Sequence, residues 1–286
     1  MKETENLITI CITSFNDSDF ILNTLYCLEK ITKNKYRVII RDNNSRIKNF
    51  LKLKKGIQGY SDVELYRVEN FNEYGSMAHG IALNDLVNKI DTKYGAILDA
   101  DFTFLHKDWD EILINEINED YPIIGAQMDP NTDTDKPLDF PCIIGIFFYT
   151  DILKKLKINF RPNFDDPKKI RDTAYQLKEK YIQNGYKGKL INYRFSLLHK
   201  NSHFRQLIVP DFYLDGYNNV FASHFARGSS LGKSKYLRTR LSNGKKGRLK
   251  NRYIVPVLGN YLVKRKGKKE KRKWIKICKN IVEMQV

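Results

Sequence analysis

The chain of 286 residues is 42% hydrophobic and 29% charged, with a net charge of +17; it is long enough for a full core and too apolar for a disordered polymer. Four widely spaced cysteines with no C-x-x-C pair exclude a disulfide framework and a cysteine zinc site, and fit a reducing cytosol. A polar start and a longest apolar run of only residues 142–149 predict no leader peptide and no membrane span, hence a cytoplasmic protein, soluble or peripheral.

Residues 7–13, rich in isoleucine and threonine, read as a first strand. The polar cluster Asn16, Asp17, Ser18 and Asp19 then precedes a helix whose apolar positions Ile21, Leu25 and Leu28 recur at i, i+4 and i+7. Residues 36–41 form a second strand ending in the turn Asp42-Asn43-Asn44-Ser45, and residues 63–68 a third. After Asn70 and Gly75 a helix is expected with Leu83, Val87 and Ile90 on one stripe, feeding a buried strand at 94–98. Asp108 and Glu111 stand at capping-box spacing for a helix through Ile117. Strands at 123–127 and 143–149 bracket a loop, 129–141, rich in Asp, Thr and Pro and placed to close over a ligand. A helix over 170–184 stopping at Gly185, a short strand at 189–192 and a last one at 220–224 follow. Strands alternating with helices predict an α/β fold, a mixed and mostly parallel sheet with helices on both faces. From Gly228 the chain turns glycine-, serine- and lysine-rich. Residues 233–286 hold 19 of the 50 Lys and Arg and 2 of the 33 Asp and Glu, so the whole excess charge lies there. The expected organisation is a domain over 1–232 and a basic extension over 233–286.

The chemistry concentrates at the end of the fourth predicted strand, in Asp99-Ala100-Asp101. Residues two apart in an extended backbone project to one side, so both carboxylates emerge together at the carboxyl edge of the sheet. They suit a hard divalent cation, Mg²⁺ or Mn²⁺, whose remaining positions phosphate oxygens fill, which points to a nucleotide-diphosphate ligand. A solvated strand end is the structural alternative. Ligands of open α/β sheets bind outside the carboxyl ends of the strands, and three such ends carry polar signals: Ser14-Phe15-Asn16, Asp42 to Ser45, and Asp99 to Asp101. No G-x-G-x-x-G follows the first strand, which disfavours a dinucleotide-binding dehydrogenase. A nucleotidyltransferase would want a glycine-rich basic loop where Ser14-Phe15-Asn16-Asp17 stands.

In this order and spacing the pieces at 8–16, 38–45, 70–75 and 97–101 resemble family 2 glycosyltransferases of the GT-A fold, clearly over about residues 7–115 and more weakly to about 230. The resemblance implies a metal-dependent, inverting transfer of a sugar from a UDP- or GDP-linked donor to an acceptor hydroxyl, in surface-glycan or glycolipid synthesis. It implies a donor site drawn from Thr13, Ser14, Phe15, Asn16, Asp42, Asn44, Gly75, His79, Asp99, Ala100, Asp101, Arg227 and Ser229. Phe15 would stack on the nucleobase and Asp42 accept its N–H. Asp99 would face ribose and metal, Asp101 ligate the metal and His224 supply a third ligand, with Arg227 and Ser229 on the diphosphate. His79 would lie near the donor sugar, with packing as its plain role, and Asn43 stands where the family usually carries a second acid. For the base that takes the acceptor's proton the best candidate is Asp172, at the head of the predicted helix. Asp165 and Asp166 are rivals, and an N-cap is the structural alternative.

Within the extension, Trp274, Ile277, Cys278 and Ile281 share a helical stripe behind the lysines and arginines of 264–273. A basic amphipathic helix suits an anionic membrane surface, here the inner face, with residues 253–258 adding apolar area. The same charge would attract nucleic acid, and a helix packed on the core is the structural alternative. Two competing readings stand beside the main one: a glycosyltransferase acting on modified DNA bases, and a catalytically silent module of the same fold recruited by its tail.

Overall fold

The computed structural model describes residues 6–69, 71–130, 136–165, 171–226 and 258–286, the side chains of the last segment from Lys264 onward. The strands β1 (Ile8–Ser14), β2 (Tyr36–Asp42), β3 (Val63–Arg67) and β4 (Tyr94–Leu98) run parallel in the order β3-β2-β1-β4. Their side chains alternate between two cores. Ile8, Ile10, Ile12, Val38, Ile40, Ala96 and Leu98 enter one, with Phe20, Leu25 and Leu28 of α1 (Ser18–Ile31). Cys11, Ile39 and Ile97 enter the other, with Leu83 and Leu86 of α3 (Gly75–Asn88). Burial on both faces leaves only the strand ends polar, so the ends are where chemistry can sit. Between β2 and β3, α2 (Ile47–Gly56) buries only Leu53, which is why no apolar period announced it.

Beyond β4 come β5 (Phe102–Phe104), α4 (Trp109–Glu116), β6 (Ile123–Ala126), β7 (Gly145–Tyr149), α5 (Thr150–Lys155), α6 (Gln176–Gln183), β8 (Gly188–Phe195), β9 (Pro210–Tyr213), β10 (Ala222–His224) and α7 (Leu258–Glu283). The ten strands run in the order β3-β2-β1-β4-β7-β6-β8-β9-β10-β5. β7 lies antiparallel between β4 and β6, β6 is parallel to β8, and β8, β9, β10 and β5 are antiparallel. The consequence for the site is direct: β5 follows Asp101 at once and pairs with β10 so that Phe102 stands opposite His224. The Phe225 N–H donates to the Asp101 carbonyl at 2.8 Å, holding the two segments together at the cleft.

Four expectations change. The helix expected over 170–184 is only α6, and Asp172 to Tyr175 form the turn before it, with Ala174 left-handed at φ 62°. Asp108 does not cap α4: it is left-handed at φ 55° with no side-chain cap bond. Instead Asp110, buried, accepts from the backbone N–H of Lys33 at 3.0 Å and of Asn34 at 2.8 Å, tying the end of α1. β8 runs on to Phe195, and the last strand begins at Ala222 rather than 220. Gly80 permits a close approach, since a Cβ there would stand 2.5 Å from the Phe160 carbonyl oxygen.

The described part of the basic segment forms α7, packed on α1. Trp274 is fully buried against Phe20 and Phe225, its ring centroid 5.7 and 6.0 Å from theirs, and its Nε1–H donates to Ser223 Oγ at 3.0 Å. Cys278, Ile281 and Val282 are buried in the same core. The apolar stripe is thus covered by the protein itself and is not available to lipid; each such large side chain contributes roughly 1.5–3 kcal/mol by burial. Residues 253–257 lie outside the described residues. Among the described residues no helix is long and apolar enough to cross a membrane.

Candidate active site

A cleft of about 650 Å³ opens at the carboxyl ends of β1 and β4. Its first wall is the turn after β1, where Thr13, Ser14, Phe15 and Asp17 face the cavity. Asn16 does not line it. Left-handed at φ 63°, it donates its backbone N–H to Ser45 Oγ at 2.8 Å, and its Oδ1 accepts from the Arg46 N–H at 3.0 Å, so it locks the turns after β1 and β2 to each other. Phe15 is 46% exposed, an unusual state for phenylalanine beside a polar cavity and one that leaves a ring face for a planar ligand.

Asp42 is fully buried and turned into its own loop, accepting from Ser14 Oγ at 3.0 Å and the Ser45 N–H at 2.9 Å with Arg67 3.8 Å away. The structure therefore does not bring Asp42 to the cavity, and Asn44 likewise binds Arg67, at 2.6 Å. The neighbour between them does line it: Asn43 donates through Nδ2 to the Ala78 carbonyl at 3.3 Å, and its buried Oδ1 has no hydrogen-bond partner. Gly75, left-handed at φ 57°, starts α3 at the rim, followed by Ser76 and His79.

Asp99, Ala100 and Asp101 form the floor. Asp99, Asp101 and His224 offer one ligand atom each within 4.8 Å of one another, with His224 Nε2 3.0 Å from Asp101 Oδ1 and 3.8 Å from Asp99 Oδ2. Ligand atoms on adjacent corners about a cation at ~2.1 Å stand roughly 3 Å apart, so the set fits a divalent ion of the Mn²⁺ or Mg²⁺ kind. Burial pushes the Asp99 carboxyl above its ordinary value; His79, whose Nε2 lies 3.6 Å from it, and His224 oppose that rise, and Asp101 adds to it. His79 is itself pushed down by burial and is neutral near pH 7. Asp17 is raised further, by burial first and then by Asp101, and its buried Oδ1 has no hydrogen-bond partner. Asp17, Asp99 and Asp101 thus gather three carboxyls at one end of the cleft, where burial raises Asp17 and Asp99 and Asp101 adds to both.

The opposite wall carries Asp172, Thr173 and Lys136. Asp172 Oδ1 accepts from the Thr173 N–H at 2.7 Å and Oδ2 lies 3.1 Å from Lys136 Nζ. Burial pushes this carboxyl up, but Lys136, Ser76 and the Thr173 N–H together bring it below its usual value, so it is ionised at neutral pH. A side pocket of about 370 Å³ shares Lys136, Asp172 and Thr173 with the cleft and continues to Pro141, Tyr175 and Leu177. Asp165 binds back into its own turn through Asn163 and does not line the cleft; Asp166, Arg227 and Ser229 lie outside the described residues. Lys136, Asp17 and Thr173 are cleft residues to which the sequence reading gave no part in the site. A larger groove of about 810 Å³ lies at the amino ends of the strands, around Tyr36, Arg37 and Tyr60, but among the described residues only Asp99, Asp101 and His224 form a metal-type cluster.

The family model for glycosyl transferase family 2 matches residues 9–177. The chain belongs to glycosyl transferase family 2. Its GT-A fold is shared with the mannosyltransferase PcManGT from Pyrobaculum calidifontis in complex with GDP-Man and Mn²⁺, at 12% identity over 98% of this chain and 86% of that one, TM-score 0.50. S. aureus TarS 1-349 in complex with UDP-GlcNAc matches at 13% identity over 64% of this chain and 55% of that one, TM-score 0.47. Glucosyl-3-phosphoglycerate synthase from Mycobacterium tuberculosis matches at 11% identity over 65% and 70%, TM-score 0.45. The chain spans about half the length of the TarS 1-349 structures it matches. No curated protein matches it significantly. Within the family 2 domain, Asp99 to Asp101 and all of the β1 and β2 turns fall inside the matched residues, while His224 and α7 fall beyond them.

Proposed function

We propose that this family 2 glycosyltransferase moves a sugar from a nucleoside-diphosphate sugar to an acceptor hydroxyl, with inversion and with a divalent cation, in the synthesis of a surface glycan or glycolipid. The observation that carries the reading is one cleft with Asp99, Asp101 and His224 on its floor and an ionised Asp172 on the facing wall. Asp99, Asp101 and His224 would hold Mn²⁺ or Mg²⁺, which when bound supplies the charge that neutralises the departing diphosphate. Asp172 takes the proton of the acceptor hydroxyl as its oxygen bonds to the anomeric carbon. The bond from that carbon to the diphosphate breaks, and the nucleoside diphosphate leaves with the electron pair. Lys136 keeps Asp172 ionised for this step, and the pocket beyond Asp172 gives the acceptor a route to the base that does not cross the floor.

Phe15 stacks on the nucleobase, and the free Oδ1 of Asn43 accepts from its edge, the task first given to Asp42. Thr13, Ser14, Gly75, Ala100 and His79 line the remaining donor space. A panel of UDP- and GDP-sugars with and without Mn²⁺, read by thermal shift and by nucleoside diphosphate release, tests the reading. One donor should raise the melting temperature only with the metal and be transferred with inverted configuration. Equal turnover with the cation chelated would sink the metal dependence, and a retained configuration would remove Asp172 from its role.

A further inference from the structure

The basic face of α7 has lost the apolar stripe that a membrane-bound helix would use, yet the protein rebuilds an apolar element beside it. Residues 196–207 form a closed loop: Ser196 Oγ donates to the Leu207 carbonyl at 2.7 Å, and the Ser196 N–H donates to the Val209 carbonyl at 3.1 Å. Phe204 anchors the loop in the core beside Trp274, ring centroids 6.5 Å apart, and Ser202 Oγ is bound by Asp211. The loop's interior is thus satisfied, and what it turns outward is Leu197, 46% exposed, and Leu198, 79% exposed, with Lys200 and Arg205. Two adjacent leucines in water on a loop whose other apolar residues, Phe204 and Leu207, are fully packed are not explained by folding.

The loop meets α7 where Lys273 Nζ donates to Gln206 Oε1. Lys266, Lys269 and Lys276, at i−7, i−4 and i+3 from Lys273, share its side of the helix and are exposed. Lys266 is paired with Glu270 at 3.7 Å, and Lys269, Lys273 and Lys276 form a row of cations beside a leucine tip. This surface also lies at the cleft end of the fold, because β9 begins at Pro210, directly after the loop, alongside the His224 end of β10. Lys271 of the same helix is bonded to Asp19, two residues from Asp17 on the cleft wall.

We propose that Leu197 and Leu198 with the Lys269, Lys273 and Lys276 row form a docking surface for an anionic phospholipid membrane, holding the cleft over a membrane-borne acceptor. Leucines dip into the acyl boundary while cations contact the headgroups, the combination that a lipid surface rewards and a nucleic acid does not. The docking deepens the reading of the enzyme by naming where its acceptor sits, and its test needs no turnover.

The test is co-sedimentation of the full chain with vesicles of phosphatidylglycerol and phosphatidylcholine against phosphatidylcholine alone, at about physiological salt. The protein should pellet with the anionic vesicles and stay in solution with the neutral ones. Leu197→Ser with Leu198→Ser, and separately Lys269→Glu with Lys276→Glu, should each weaken vesicle binding at least tenfold while donor hydrolysis in solution stays unchanged. Equal partition onto both vesicle types, or no binding to either, overturns the proposal. So does loss with the lysine pair but not with the leucine pair, above all if duplex DNA binds the protein through the same lysines. Donor turnover in solution that fails while vesicle binding holds would count against the enzymatic reading and not against the docking surface.

Discussion

The floor and the facing wall of the cleft each carry an aspartate that burial pushes upward, yet the two end on opposite sides of the ordinary carboxyl value. Desolvation raises both Asp99 and Asp172. Asp172 has a lysine 3.1 Å away and falls below its ordinary value; Asp99 has only imidazoles at 3.6 and 3.8 Å and stays above it. The lysine in contact with Asp172, together with its shallower burial, accounts for the difference in direction.

The hardest way to break that contrast is to neutralise the floor. Asp101→Asn should weaken Mn²⁺ binding, read by electron paramagnetic resonance, and lower donor turnover by ~10³-fold or more; retained Mn²⁺ affinity would show the floor is not the ion site. Asp172→Asn should lower kcat by roughly 10²–10³-fold with donor and Mn²⁺ binding unchanged, whereas a comparable loss of donor affinity would move the residue from base to binding group. Lys136→Met is subtler, because it withdraws the counter-charge and lets burial raise the Asp172 carboxyl. The acid limb of the kcat/KM profile should move to higher pH, with activity lost on the acid side and changed least on the alkaline side. An unmoved acid limb would mean that Lys136 does not set the base.

How much of this was legible in the sequence follows the distance over which each signal is local. Asp99-Ala100-Asp101 and the Ser14-Phe15-Asn16 turn could be read because motif and strand are contiguous. His224 could be placed only by resemblance, since it meets Asp101 across 123 residues through strands of three residues that carry no periodic signal. Asp17 looked like a helix cap, but its side chain makes no cap bond and its backbone oxygen serves the Phe20 and Ile21 N–H groups, leaving the carboxyl for the cleft. Lys136 passed as one charge in an acidic loop, because its value lies in the partner it meets. The Trp274 stripe was visible as a stripe, yet periodicity says that a helix has an apolar face and not what covers it; the aromatic rings of Phe20, Phe204 and Phe225 do.

The contrast extends beneath the floor to a carboxyl with no cation against it among the described residues. Asp211 is 1% exposed, and burial raises it to about 7, while the hydroxyls of Ser202 and Ser223 pull it back only in part. Ser223 also receives the Trp274 N–H, so this acid sits under the strand that carries His224. Its proton is held more tightly in the folded chain than in the unfolded one, where the ordinary value is about 3.9. The stabilisation is full below about pH 4 and declines as the pH rises toward 7, where the folded carboxyl ionises in turn, a loss of up to about 4 kcal/mol by linkage. Asp211→Asn keeps an acceptor for Ser202 without the charge, so it should leave the melting temperature near pH 4 almost unchanged. At pH 8 it should raise stability by up to ~4 kcal/mol, on the order of 10 °C. Melting curves of the two proteins from pH 4 to pH 8 decide it: curves that run parallel would mean that this carboxyl ionises as freely inside the fold as outside, and that burial without a counter-charge does not set the pattern seen at the cleft.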